Sequence, residues 1–261
     1  MSARALWRGV VRFGTAAVPV RLYAAVEDRR LSFRLLHRED GVPVRSALVN
    51  PLTDEVVAYR EAGRGYVTPD GAIVALEAAE LEAVEPEPSR DVAVTRFVPA
   101  GAIEHRWYRR PYFLGPDGDD EAHAALAAML ARTGREGVAH WVMRDRVHHG
   151  SLRLHRGYPM LVTLRSAAQV APLGRFEPGE AGDLDERQLA LARQLIEALS
   201  ADLDPDAYRD EHREAVLDLV AAKREGREVA APRPRERPAT TDLTASLERS
   251  LARAGGAGGR A

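Results

Sequence analysis

Apolar and polar residues alternate through positions 6–13, 18–26 and 31–37, rich in Val, Leu, Phe and Tyr. This predicts three β-strands, punctuated by Gly14 and Pro19. From 41 to 70 the alternation lapses among Pro43, Pro51, Gly63, Gly65 and Pro69, so a long excursion or loose hairpin is expected. Loops of that length in folded domains are functional or disordered. A short helix over 76–84, a strand over 92–98 and an extended piece over 107–114 follow. Asp119 is placed to cap a helix over 120–132 whose Leu126, Met129 and Leu130 share a face and which Gly134 stops. Strands over 138–144, 151–155 and 160–164 complete a β-rich body with one inserted helix.

Beyond Gly179 the apolar period changes from two to 3.6, which marks a separate element. Asp183 and Glu186 have capping-box spacing, and Leu189, Ala192, Leu195, Ile196 and Leu199 form one stripe. Asp204-Pro205 is expected to open a second helix with Tyr208, His212, Val216, Leu219 and Lys223 on one side and Gly226 as its stop. Residues 229–238 read as a solvated linker. Leu243, Leu247 and Leu251 then recur at i, i+4 and i+8 before the glycines at 255–259; that stretch is too short to be stable alone. No internal repeat is visible, which argues against a solenoid or propeller.

Composition narrows the picture. The 261 residues contain no cysteine, so disulfides, thiolate zinc sites and cysteine nucleophiles are excluded. No apolar run reaches the roughly 20 residues needed to cross a bilayer, and residues 1–9 lack a secretory pattern, so the cytoplasm is the expected compartment. The net charge of -2 hides an uneven distribution: residues 166–228 carry 8 basic against 15 acidic side chains, whereas residues 1–50 carry 9 against 4. A cationic surface is therefore available. Lys223 is the only lysine, so phosphate contacts fall to arginine, whose fork suits phosphate oxygens.

Catalytic constellations are missing. There is no GxxxxGK[ST], no GxGxxG after a strand and no GxSxG. His148 and His149 are adjacent and on an extended chain point to opposite faces, so they grip no ion together. The Asp202, Asp204, Asp206 run begins like a calcium loop, but Ala207 stands where glycine is needed and Arg213 where a bidentate glutamate belongs; helix capping by Asp204 explains it. No catalytic residue, metal or cofactor is expected. The catalytic alternative is a nuclease using His105, His148 or His149 with nearby acids.

The segment Leu6-Trp7-Arg8-Gly9-Val10-Val11-Arg12-Phe13-Gly14, running into Val18-Pro19-Val20-Arg21-Leu22-Tyr23, resembles the opening signature of bacterial Ku proteins. The likeness continues in family order through Phe33-Arg34-Leu35-Leu36-His37, Gly65-Tyr66, Phe97-Val98, Arg110-Pro111-Tyr112-Phe113-Leu114, Thr133-Gly134-Arg135, Leu161-Val162-Thr163-Leu164, Gln194-Leu195-Ile196 and Tyr208-Arg209-Asp210-Glu211. It covers residues 4–228. The resemblance implies a mixed β and α fold: a Ku-type β-barrel core over 1–178 with an inserted helix and a DNA-encircling bridge at about 38–70, a helical arm over 179–228 and a flexible tail over 229–261. It implies a homodimeric ring through which duplex DNA passes. The implied function is sequence-independent binding of double-stranded DNA ends in non-homologous end joining, without enzymatic activity and in association with the nucleoid; the alternative within the resemblance is a ring-fold scaffold with weak DNA affinity. The implied partner is a multifunctional ATP-dependent DNA ligase of the ligase D type, docked by Leu243, Leu247 and Leu251.

B-DNA carries one charge per about 1.7 Å of axis, so an arginine-lined ring gains from counterion release and needs no base reading. The leading candidates for phosphate contact are Arg38, Arg45, Arg60 and Arg64, in or beside the excursion aligned with the bridge. Arg12, Arg21, Arg34, Arg106, Arg109, Arg144 and Arg146 form a second set. Trp7, Trp107 and Trp141 are expected in the core, since a duplex offers no splayed bases.

Overall fold

The computed structural model describes residues 4–172, 174, 185–227 and 243–257. The chain divides into two units, Met1–Arg175 and Phe176–Ala261.

In the first unit, seven strands close into a barrel: β1 (Trp7–Phe13), β2 (Ala16–Ala24), β7 (Asp91–Pro99), β8 (Tyr108–Pro116), β9 (Arg135–Val142), β10 (Val147–His155) and β11 (Tyr158–Leu164). Their order around the barrel is β1-β2-β8-β11-β10-β9-β7. Neighbours are antiparallel except at the closing seam, where β1 runs parallel to β7 with Val11 opposite Val92. Alternation puts Val11, Val18, Val20 and Leu22 inside with Leu114, Ala139, Trp141, Leu152 and Leu161. Burying each larger aliphatic side chain contributes about 1.5–3 kcal/mol.

The helix α2 (Asp120–Thr133) begins where Asp119 accepts a hydrogen bond from the Ala122 N–H and ends at Gly134 in the left-handed region, φ +60°. Leu126 and Leu130 join the barrel core cluster, with Met129 packed against it.

Two close approaches fix Trp7 and Trp141; Trp107, expected in the core, is half-buried in the 3-10 turn before β8 and lies outside the core cluster. A Cβ on Gly9 would lie 2.0 Å from the Trp7 ring and 2.3 Å from the Arg90 carbonyl oxygen; one on Gly150 would lie 2.7 Å from both the Trp141 ring and the Val162 oxygen. Trp141 is buried in the core, and Trp7 packs against it. This accounts for the Trp7-Arg8-Gly9 signature: the glycine is the space the indole occupies.

One carboxylate sits inside the barrel wall. Glu136, 2% exposed, accepts hydrogen bonds from the Gly101 N–H, the Tyr108 hydroxyl and the Ser151 hydroxyl at 3.0, 3.0 and 2.7 Å. Arg153 lies 3.4 Å away and stacks over the Tyr108 ring. Burial pushes the Glu136 pKa up, but these donors and the Arg153 charge outweigh it, leaving the carboxyl below its ordinary range. Burial, then the bond to Glu136, pushes the Tyr108 phenol up.

The strand expected over 31–37 does not form. Those residues make a single bridge, Leu36 with Pro43, because both edges of β2 are already taken by β1 and β8. The excursion instead holds two small hairpins, β3 (Leu48–Val49) with β4 (Val56–Val57) and β5 (Arg64–Val67) with β6 (Ile73–Leu76), then the short helix α1 (Ala78–Ala83). That helix starts two residues later than expected, at a capping box of Glu77 and Glu80.

In the second unit, α3 (Glu186–Leu199) is capped by Asp185 with Gln188, not by Asp183 with Glu186; Asp183 lies outside the described residues. The expected face also shifts: Leu191, Ala192 and Leu195 are half-buried, whereas Leu189, Ile196 and Leu199 are exposed. Asp204-Pro205 opens only a 3-10 turn over Pro205–Ala207. The helix α4 (Glu211–Arg224) starts afterwards, where Asp210 accepts a hydrogen bond from the Arg213 N–H; Tyr208 therefore stands outside it, and of the α4 side chains only Ala222 is buried. The linker expected over 229–238 lies outside the described residues. The helix α5 (Leu243–Ala257) packs along α3.

Candidate nucleic-acid interface

Strand β8 meets β11 through a register irregularity between Val162 and Leu164, opposite Pro111 and Tyr108. Such bulges re-aim side chains and sit at barrel rims. Here Thr163 holds the backbone of Arg110 from both sides, its Oγ1 accepting from the Arg110 N–H at 3.0 Å and donating to the Arg110 carbonyl at 3.2 Å. The approach to β8 is fixed by Arg165, whose guanidinium donates to the carbonyls of Arg106 and Tyr108.

The β9–β10 hairpin turns tightly at Arg144 and Asp145, with Val142 paired to Val147. The two segments frame a cleft of about 440 Å³ lined by Arg109, Arg110, Arg144 and Arg146, with Tyr112, Met143 and Leu164 as apolar walls. The Arg110 guanidinium lies 5.8 Å from the centre of the Tyr112 ring. His148 is stacked on Trp141 at 5.5 Å, and its Nε2 lies 3.1 Å from the Met143 carbonyl oxygen. No carboxylate lines this cleft. Asp28, which Arg30 holds down at about 2 mainly through a side-chain hydrogen bond, is close enough to Arg110 to feel its charge.

The cleft gathers three of the second-set arginines, Arg109, Arg144 and Arg146, and adds Arg110, which the sequence reading missed. Strict alternation sends neighbouring strand residues to opposite faces; only the bulge and the strand's position at the rim let Arg109 and Arg110 line one site. The rest of that set is dispersed. Arg12 binds Asp91 at 2.8 Å across the β1–β7 seam, and Arg21 binds Asp117 at 2.6 Å beside the β2–β8 ladder. Arg106 is held by Glu104 and the Ala171 carbonyl.

The leading candidates lie along the excursion and are all exposed. Arg38 and Arg45, like Arg34 of the second set, have no ion-pair partner among the described residues. Arg60 is 3.6 Å from Glu61. Arg64 lines a groove of about 740 Å³ that also carries Glu77, Glu82 and Glu85, so its field is partly compensated.

The tail helix is engaged within the chain. Leu247 and Leu251 are half-buried; Arg187 of α3 bonds Glu248 of α5 at 2.7 Å, and Gln188, which also completes the α3 cap, donates to the Thr244 hydroxyl at 3.3 Å. Of Leu243 the structure describes only its helical position.

Among the described residues no group of three or more His, Asp or Glu side chains is placed to hold a metal. His148 serves a stack, His149 meets His140 across the β9–β10 ladder, and Asp204 caps its own turn by accepting from the Asp206 N–H.

A closed seven-stranded barrel interrupted by one long excursion, with arginines at its rim, defines a barrel of the Ku type. The family model of the Ku70/Ku80 beta-barrel domain matches residues 12–191. The chain belongs to the Ku family. It is 31% identical over 253 residues to the non-homologous end joining protein Ku 2 of Geotalea uraniireducens, covering 96% of this chain and 98% of that one. It is 36% identical over 259 residues to the non-homologous end joining protein Ku 3 of Saccharopolyspora erythraea, covering 95% and 97%. Over 258 residues it is 31% identical to the non-homologous end joining protein Ku of Mycobacterium tuberculosis, covering 95% and 94%.

Proposed function

We propose that this protein binds the ends of double-stranded DNA in non-homologous end joining, as a ring of two copies that reads charge and not sequence and carries out no catalysis itself. Membership of the Ku family and the names of the relatives support the end-joining role. The observation that carries the ring is the excursion. Phe33, Leu35 and Ile73 are each 73% exposed and Leu52 is 93% exposed, large apolar side chains left in water along one segment, as at a protein interaction site. A second copy related by a two-fold axis would cover this surface with its own. Arg38 and Arg45 on the same excursion, with the rim arginines, would then face the polyanion. Charge-assisted forks from guanidinium to phosphate need no particular base.

End preference follows from enclosure, since a closed ring loads only where a duplex terminates. Recruitment of a DNA ligase by the leucine face of α5 is part of the same proposal; because Leu247 and Leu251 are half-buried on a helix packed along α3, that face becomes available when α5 leaves it. The test is a gel shift of one DNA sequence as a linear duplex and as a closed circle, over a salt series. Linear DNA is expected to be retained preferentially, and log affinity to fall by about 0.9 per phosphate neutralised for each unit of log salt. Equal retention of the circle would refute enclosure.

A further inference from the structure

We infer that the rim cleft of Arg109, Arg110, Arg144 and Arg146 is a receptor for the terminal phosphomonoester of a DNA strand, distinct from the contacts that follow the duplex backbone. The inference rests on the DNA-end reading above and deepens it.

Size is the first argument. A cleft of about 440 Å³ falls in the range of small-molecule sites, roughly 300–1,000 Å³. It admits a nucleotide-scale group, whereas an internal stretch of duplex would touch only its rim. Its apolar walls, Tyr112, Met143 and Leu164, suit the sugar or base that accompanies a terminal phosphate and are of no use to a phosphodiester passing outside.

Charge is the second. Four guanidiniums line the cleft, no carboxylate does, and none of the four is in a close ion pair among the described residues; Asp28, outside the lining, offsets only part of the Arg110 charge. A backbone diester brings one negative charge. A monoester brings about -1.5 to -2 and three acceptor oxygens, a closer match to several converging forks.

Preorganisation is the third. The backbone of Arg110 is held by Thr163 on both its N–H and its carbonyl, and its guanidinium by the Tyr112 face. Arg144 and Asp145 both take positive φ, +53° and +58°, in a two-residue turn that ordinarily uses Asn-Gly. The next hairpin meets the same demand with Arg156 followed by Gly157. The β9–β10 turn keeps two side chains in that unfavourable region, which fixes the backbone from which Arg144 and Arg146 project.

The test measures binding of the full chain, by fluorescence anisotropy, to three short duplexes identical except for a 5′-phosphate, a 3′-phosphate or hydroxyls only. A phosphorylated end should bind about tenfold tighter than the hydroxyl end, the gain of one set of charge-assisted hydrogen bonds. In the R144A/R146A double variant both affinities fall and the difference between ends disappears. In an R38A/R45A variant both fall while the difference persists. Equal affinity of the wild-type chain for all three ends would overturn the inference, as would saturable binding of free deoxyadenosine monophosphate without discrimination among the ends, which would make the cleft a site for the free nucleotide. Preference for linear over circular DNA would stand in either case, so failure of the cleft and failure of the ring are distinguishable.

Discussion

Glu136 shows how much one side chain holds together: its carboxylate collects the Gly101 amide, two hydroxyls and, at 3.4 Å, the Arg153 guanidinium in a barrel wall closed to water. Because its pKa is lowered in the folded chain despite its burial, its contribution is complete above the ordinary carboxyl value near 4.3. That contribution is lost as pH falls through the lower folded value. E136Q keeps the shape but removes the charge that Arg153 and the donors answer, and it should lower stability at pH 7 by about 1–3 kcal/mol. Urea midpoints between pH 7 and pH 3 would check this. The wild type should lose part of its advantage over E136Q below about pH 4.3; parallel curves would show that the network contributes nothing through ionisation. Nothing in the order of residues marks Glu136 as buried. It stands beside Gly137 in a strand, and its partners come from residues 101, 108, 151 and 153, which only barrel closure assembles.

At the scale of elements, local signals were legible wherever the chain supplies its own partner. The Asp119 cap and Gly134 stop of α2 are written within a few residues of each other and appear as expected. The strands of the barrel were found within a few residues of their ends, because alternation records which side of a wall each residue faces. Positions 31–37 carry the same alternation and form no strand, since a strand also needs a free neighbouring edge and β2 has none left. Helix faces failed for a related reason. The α3 sequence has two apolar stripes, and periodicity alone does not say that Leu191 and Leu195 are half-buried whereas Ile196 and Leu199 are exposed. An isolated helix of the length of α5 is marginal in water, so its order depends on docking. L247A/L251A should release it: amide exchange over 243–257 is expected to rise to unprotected rates while the barrel amides stay unchanged. Retained protection in that variant would mean that α5 is held by something other than its leucine face.

For the whole molecule the excursion is decisive. A chain that leaves Phe33, Leu35, Leu52 and Ile73 in water is incomplete by itself, and the proposed second copy completes it. F33D/L35D should therefore shift sedimentation from a dimer to a monomer and weaken binding to linear DNA, with the barrel's thermal unfolding little changed because neither residue enters the core. A dimer that persists in this variant would place the interface elsewhere. By itself, the sequence determined the β-rich body, the inserted helix, the change to helical period beyond residue 179 and, through Trp7, Gly9 and the motifs that follow, the family. These are short-range patterns that need no distant partner to be read. Tertiary structure alone decided which arginines lie together. Closing the barrel spends Arg12 and Arg21 on seams between strands and brings Arg109, Arg110, Arg144 and Arg146 to one rim, because charge is a property of residues whereas a site is a property of where the backbone returns.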